Sequence, residues 1–312
     1  MSMRGALSLL LSLPLLLWGA QALPATDSKA AYPSLSAAQI VEKYVAARGG
    51  LQAWRNVQTL RVTGRIEAGT ADSAARSARI ASAGVGASVK QSRLAAATAT
   101  DKSAASQQVQ LPFTLEMKRP RRSRMEIQFA GTTAVQVYDG KNGWKLRPFL
   151  NRNSVDSFSD EERKAAEQKG DLEGPLLDYA AKGSKVELEG VESVEGNQAY
   201  KLKLTTKNGI AQHIWIDAKS FLDVKVEGQP RRMDGRMRNV WVAQRDFRPV
   251  EGLMVPFVYE TAVDNGTQTH KMLFDTVTVN HPIEDARFTK PQQVVTAPAP
   301  HAPAASTAAA GR

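Results

Sequence analysis

Cysteine is absent from the 312 residues. That excludes disulfide scaffolds, thiol nucleophiles, Cys-ligated zinc, iron–sulfur clusters and lipid attachment through an N-terminal cysteine. Histidine is scarce: His213, His270, His281 and His301 are the full set, and no pair has metal-ligand spacing. No metal and no cofactor are expected. The chain lacks a G-x-x-x-x-G-K-[ST] phosphate loop, a G-x-S-x-G elbow and an H-E-x-x-H zinc helix. Asp160, Glu161 and Glu162 form an acidic triplet at a helix start, where they complement the helix dipole without catalysis. The sequence therefore reads as non-enzymatic; only a hydrolase site assembled from scattered strand residues would escape such a search. Long apolar runs are limited to one, which rules out a multi-span membrane protein.

That run defines the compartment. Met1–Arg4 is a short positive region, residues 6–18 are leucine-rich, and Ala20-Gln21-Ala22 offers the small residues a signal peptidase reads. Cleavage after Ala22 and export to the periplasm are expected. The run is too short to span a bilayer comfortably, which takes about 20 apolar residues. Lys+Arg 41 against Asp+Glu 31 gives a formal charge of +10, which favours acidic partners. Export removes nucleic acid from that set.

Residues 23–33 read as a flexible lead. Ser36 and Gln39 form a capping box, and Ala37, Ile40, Val41, Tyr44 and Val45 recur at helical spacing until Gly49-Gly50. From Thr59 the period becomes 2: Leu60, Val62, Gly64 and Ile66 alternate with polar residues. Residues 68–110 have no aromatic residue and are mostly small or polar, so they read as a disordered insertion in a hairpin loop, a loose helix near 75–81 being the alternative. Alternation resumes with Leu111, Phe113, Leu115 and Met117, then Met125, Ile127 and Phe129. Asp139-Gly140-Lys141-Asn142-Gly143 marks a hairpin between strands at 133–138 and 144–147. Ser159 and Glu162 cap a helix ending at Gly170; its surface is polar, so a weakly held outer flap is expected. Gly174-Pro175 opens a second helix over 175–182, with Leu176 and Leu177 on an apolar side. Strands follow at 185–189, 198–205, 212–217, 222–226, 238–247, 254–263 and 267–279, with Asn208-Gly209 and Asn265-Gly266 as hairpin signals. An Ala/Pro-rich tail occupies 292–312. The fold class is mainly β with α: a curved antiparallel sheet of ten or eleven strands, an incomplete barrel over 34–291, with helices on its open side.

Lys118-Arg119-Pro120-Arg121-Arg122-Ser123-Arg124 carries five positive charges in seven residues. It reads either as a solvated turn or as an electrostatic footprint for anionic lipid or an acidic docking face.

Three stretches carry a resemblance. Leu115-Glu116-Met117-Lys118-Arg119-Pro120, the segment Val135–Trp144 and Asp285-Ala286-Arg287-Phe288-Thr289-Lys290-Pro291 together resemble the LolA-like family of periplasmic carriers of outer-membrane lipoproteins and the related lipoprotein-sorting group. The resemblance implies an incomplete barrel with a helical lid over a hydrophobic cavity. It also implies a ligand that is a lipid or an acylated protein, contacts with inner- or outer-membrane transport proteins, and a monomer. The arginine of the family's Lys-Arg-Pro motif helps close the lid; the matching residue is Arg119. Inward residues expected to line the cavity are Leu115, Met117, Met125, Ile127, Phe129, Trp144, Leu146, Trp215, Trp241, Phe257 and Tyr259. Each could equally fill a solid core. The alternative function is an envelope sensor or adaptor that binds a protein partner through the curved sheet.

Overall fold

A computed structural model describes residues 34–68, 109–148, 152–233, 236–263 and 270–292. The expected signal peptide, lead and tail from 293, and residues 69–108 of the insertion, lie outside the described residues. Contacts divide the chain into Met1–Ser34 and Leu35–Arg312, and every element below belongs to the second unit.

Helix α1 (Ala37–Ala47) starts where the sequence puts its cap. Gln39 N donates to Ser36 Oγ at 3.3 Å, and Ser36 N donates to Gln39 Oε1 at 2.9 Å. Ile40, Val41 and Tyr44 form its buried side. Gly49 follows at φ 102°, and a Cβ there would lie 2.2 Å from the Gly252 carbonyl oxygen, so only glycine lets the helix end meet the 251–252 turn. Helix α2 (Leu51–Arg55) buries Trp54, whose indole N–H donates to Arg48 O at 2.8 Å.

The strands are β1 (Thr59–Ala68), β2 (Val109–Lys118), β3 (Arg122–Phe129), β4 (Thr132–Tyr138), β5 (Gly143–Arg147), β6 (Arg152–Ser157), β7 (Lys185–Val194), β8 (Asn197–Thr205), β9 (Ala211–Asp217), β10 (Asp223–Met233), β11 (Arg236–Val250), β12 (Leu253–Val263) and β13 (His270–Val279). All thirteen form one antiparallel sheet in the order β6-β5-β4-β3-β2-β1-β13-β12-β11-β10-β9-β8-β7. Strands β6 and β7 are consecutive in sequence yet occupy opposite edges, so the curved sheet stays open. The chain between them carries helix α3 (Asp160–Lys169) and a run of turns.

Directly opposed residues of an antiparallel pair point to the same side. Leu60, Val62, Gly64 and Ile66 of β1 oppose Met117, Leu115, Phe113 and Leu111 of β2, which lead on to Met125 and Ile127 of β3. In the other direction β1 opposes Val279, Val277, Phe274 and Met272 of β13, then Tyr259 of β12 and Gln244 of β11. This is the inner face, and the helices dock on it. The outer face carries Arg61, Glu116, Arg124 and Glu126. At one end it buries a second core of Val135, Val137 and Leu146 under Ile283 and Phe288 of the C-terminal segment, with a 3₁₀ turn at Asp285–Phe288.

Three expectations change. The sheet has thirteen strands, with the polar segment Arg152–Ser157 added as a strand paired to β5, while β10, β11 and β12 run where separate strands at 222–226, 238–247 and 254–263 are expected. Residues 175–182 form successive turns instead of a helix: Asp178 has φ 57°, which breaks helical geometry, although Leu176 and Leu177 are fully buried as an apolar side requires. The polar helix α3 is firmly docked. Its Glu162 is 2% exposed and receives Lys145 Nζ of β5 at 2.5 Å, with Arg147 at 3.7 Å.

Candidate functional site

Seven of the eleven expected lining residues share the inner face. Leu115 and Met117 of β2, Met125, Ile127 and Phe129 of β3, and Phe257 and Tyr259 of β12 all project there by register. Ile127 and Phe257 are buried, whereas Leu115, Met117, Met125, Phe129 and Tyr259 are half-buried. Phe274 of β13 joins them: its ring centroid lies 5.0 Å from Tyr259, 5.9 Å from Phe113 and 6.4 Å from Phe257. Met272 and Val277, also half-buried, extend the same apolar floor.

Four expected residues point the other way. Trp144 and Leu146 oppose Val137 and Val135 and belong to the outer core beneath Ile283 and Phe288. Trp215 and Trp241 sandwich the ammonium of Lys225 on the outer face, 4.3 Å and 4.5 Å from the ring centroids. The Trp215 indole also donates to Glu192 at 2.8 Å. Alternation alone could not separate the sides, because each face has its own apolar cover. Phe274 and Met272 were missed for a related reason: a bulge between Thr63 and Gly64 in the β1–β13 ladder reverses parity within β13.

Two recesses accompany this floor. One, of about 960 Å³, opens on the outer face between Arg124, Glu126, Val135, Leu146, Ala286 and Arg287. The other, of about 530 Å³, sits at the strand ends beside Leu111, Phe129 and Thr132 and touches the rim of the inner floor. Neither is lined by α1, α2 or α3.

The cations of the basic turn between β2 and β3 are part-exposed and paired within the fold. Arg119 Nε donates to Val57 O at 2.7 Å, and its Nη2 reaches Trp54 O at 3.1 Å and Glu173 at 2.8 Å. The guanidinium fork thus satisfies carbonyls at and after the C-terminus of α2 and ties them to the turns that precede β7. Burial acts to raise the Glu173 carboxyl, but the charge of Lys182 and hydrogen bonds from Arg119 and Lys182 hold it below its ordinary value. Arg121 pairs with Asp171 at 2.9 Å and Glu167 at 3.3 Å, clasping the end of α3. Lys118 and Arg122 both reach Asp285, at 2.7 Å and 2.8 Å, and Arg124 pairs with Glu126 at 2.6 Å.

Where α1 crosses the inner face, a polar group is buried among apolar neighbours. Arg48 Nη1 donates to Tyr44 Oη at 2.7 Å and Asp223 Oδ1 at 3.2 Å, and Arg48 Nε donates to Met254 O at 2.9 Å. Gln244 Nε2 donates to Asp223 Oδ2 at 2.8 Å. Burial pushes the Asp223 carboxyl up, opposed by Arg48, and pushes the Tyr44 and Tyr259 phenols up. No group of three or more His, Asp or Glu among the described residues could hold a metal ion. No helix among them is long and apolar enough to cross a membrane.

An open antiparallel sheet with helices on its inner face defines the class: an incomplete β-barrel. No family model and no curated protein matches the chain. Among solved structures it is similar to a LolA superfamily protein from Nitrosomonas europaea, at 15% identity and TM-score 0.49, over 82% of this chain and 99% of that one. It is also similar to a DUF1329 family protein from Desulfovibrio piger, at 12% identity and TM-score 0.48, over 81% and 97% of the two chains. A third is a putative outer membrane lipoprotein-sorting protein domain from Vibrio parahaemolyticus, at 11% identity and TM-score 0.46, over 80% and 95%.

Proposed function

We propose that the protein is a non-enzymatic periplasmic carrier that holds a lipid or acylated protein on the inner face of its open sheet. One observation carries this reading: Leu115, Met117, Met125, Phe129, Tyr259, Met272, Phe274 and Val277 make a continuous apolar floor that is only half-buried, while Val62, Ile66, Phe113 and Ile127 on the same face are fully buried. Apolar surface left in water costs about 25 cal/mol per Å². Half-buried apolar side chains gathered on one side of an open sheet support a binding surface there. An acyl chain laid on the floor removes that cost. In this reading Arg119 is the lid latch, because its bonds to Trp54, Val57 and Glu173 hold α2 and the 171–183 turns in place. Membrane transport proteins that deliver and accept the ligand are the expected partners.

The test is lipid binding. Native mass spectrometry of the purified chain should find co-bound lipid, and a fluorescent fatty-acid analogue should bind near micromolar affinity, about −8 kcal/mol. Leu115→Trp, at a half-buried position, should fill the floor and abolish binding while the fold persists. Arg119→Leu should keep the fold and change the rates of probe uptake and release. Binding of no acyl probe would remove the carrier reading and favour the adaptor.

A further inference from the structure

Strands β10 and β11 outrun their neighbours. The ladder of β10 to β9 ends where Val226 opposes Ile214, and that of β11 to β12 where Val240 opposes Val263. Beyond those pairs, among the described residues, the two strands pair only with each other: Arg231 opposes Arg238, Arg232 opposes Met237 and Met233 opposes Arg236. At about 3.3 Å per residue, the four residues 236–239 carry this ribbon about 13 Å past the last pair with β12.

A two-stranded ribbon without a third strand gains little from its own ladder. This one is also charged against itself. Residues 231–238 hold four arginines and one acid, Asp234. Like charges directly opposed, as Arg231 and Arg238 are, destabilise a strand pair. Among the described residues neither Arg236 nor Arg238 has an ion-pair partner, in contrast to the paired cations of the β2–β3 turn. Between them Met237 is 59% exposed, the most exposed large apolar side chain among the described residues. The β8–β9 turn lies at the same end of the sheet and adds exposed Lys207 and Ile210. The ribbon therefore keeps unpaired guanidinium groups beside bare apolar side chains. An acidic protein face answers the charge alone. The surface of an anionic bilayer answers both parts, because phosphate and hydrocarbon lie within about 10 Å of each other there: the phosphates receive the arginine forks and the methionine enters the boundary beneath them.

We infer that the β10–β11 ribbon is a docking element for an anionic phospholipid surface, with Arg236 and Arg238 on the phosphates and Met237 in the headgroup boundary. This does not rest on the carrier reading, because the apolar floor of the inner face plays no part in it.

The experiment is co-sedimentation of the purified chain with sucrose-loaded vesicles of phosphatidylcholine, alone or with about a third phosphatidylglycerol. The anionic vesicles should bind it about tenfold or more tightly than the neutral ones, and raising NaCl from about 0.05 M to about 0.5 M should remove most of that difference. Arg236→Gln with Arg238→Gln should weaken binding to anionic vesicles about tenfold or more, at roughly fivefold per arginine. Lys164→Gln with Lys219→Gln removes the same charge from exposed sites on α3 and in the β9–β10 turn, and should stay within about twofold of wild type. Met237→Gln should weaken binding to both kinds of vesicle about threefold or more while the preference for the anionic one remains. The glutamine pair relieves the repulsion across the ribbon, so the fold should persist, and an unchanged thermal melt checks this. Equal binding to the two kinds of vesicle, an equal loss in the arginine and lysine pairs, or wild-type binding in either ribbon variant would each overturn the inference and leave the carrier reading standing. Binding to neither vesicle would overturn it too, and would make an acidic protein face the partner of the ribbon.

Discussion

Helix α3 supplies the sharpest test of how the covers are held, because its attachment runs through one carboxylate. Glu162 closes the capping box, accepting from Ser159 N at 2.8 Å while its own N–H reaches Ser159 Oγ at 3.2 Å. The same carboxylate receives Lys145 Nζ at 2.5 Å and faces Arg147. The side chains of Glu162 and Lys145 are 3% and 14% exposed, so this is a buried pair, not a screened surface one. Glu162→Gln keeps the shape and most of the cap, since glutamine serves at that position. It leaves Lys145 with no counter-charge in a dry site, at a cost of about 3 kcal/mol. For an ordered region of this size that lowers Tm by about 6–12 °C. Lys145→Met combined with Glu162→Leu removes both charges and should recover most of the loss, apart from about 1 kcal/mol for the cap. Calorimetry reads the global effect, and hydrogen exchange of the α3 amides reads local release. If Glu162→Gln changes neither, the ion pair contributes nothing and α3 is the loose flap that its composition implies.

The separation of the two faces can be checked with one pair of variants: Trp241→Leu, on the outer face, should leave acyl-probe affinity within about twofold of wild type, whereas Leu115→Trp should abolish binding; equal effects would mean the register-based faces are misassigned. Gly64→Ala would place a Cβ 2.1 Å from the Leu273 carbonyl oxygen and 3.0 Å from the Phe113 ring, so the β1–β13 bulge must shift. The expected loss in a urea melt is about 2 kcal/mol or more, and an unchanged midpoint would contradict the close approach. Glu173 is held below its ordinary value of 4.5, so its ionised form stabilises the fold above that value, and the stabilisation is lost as pH falls through the depressed folded value. The stability gap between wild type and Glu173→Gln should therefore be full at about pH 6 and shrink towards about pH 3; a gap independent of pH would exclude this ionisation as its source.

Much of the fold is legible because local signals agree with the tertiary structure. Ser36 and Ser159 cap where expected, Leu60–Ile66 and Leu111–Met117 face one side together, and Asp139–Gly143 turns the β4–β5 hairpin, with Asp139 Oδ1 accepting from Lys141 N and Asn142 N at 2.7 Å and 2.6 Å. The failures have equally local causes. Gly174-Pro175 carries good opening chemistry, but the positive φ of Asp178 redirects the chain before a helical turn can repeat. That residue is pinned from outside its own segment, by Arg55 of α2 at 3.0 Å. β6 has one apolar residue, Val155, in six and is held by its ladder to β5, which no window of its own sequence records.

The site was legible only as far as side chains alternate without interruption and only one face is apolar. Both conditions hold for β2 and β3, whose outer face carries Glu116, Arg124 and Glu126, and their five expected residues are together. Both fail further along. The outer core under Phe288 gives Trp144 and Leu146 an apolar setting that imitates a cavity wall, and Lys225 gives Trp215 and Trp241 the same on the other side of the sheet. Charge misleads in the same way. Five cations in seven residues look like a surface for acidic partners, yet each meets an internal carboxylate or carbonyl: Arg119 and Arg121 on the side of the helices, and Lys118, Arg122 and Arg124 on the side of the C-terminal segment. Those bonds join the covers of both faces to a single turn. A Lys-Arg-Pro signature followed by three more basic residues is therefore better explained by two covers that must be fastened at one point than by a partner outside the fold, and the formal charge of +10 cannot be assigned to that turn as free surface charge.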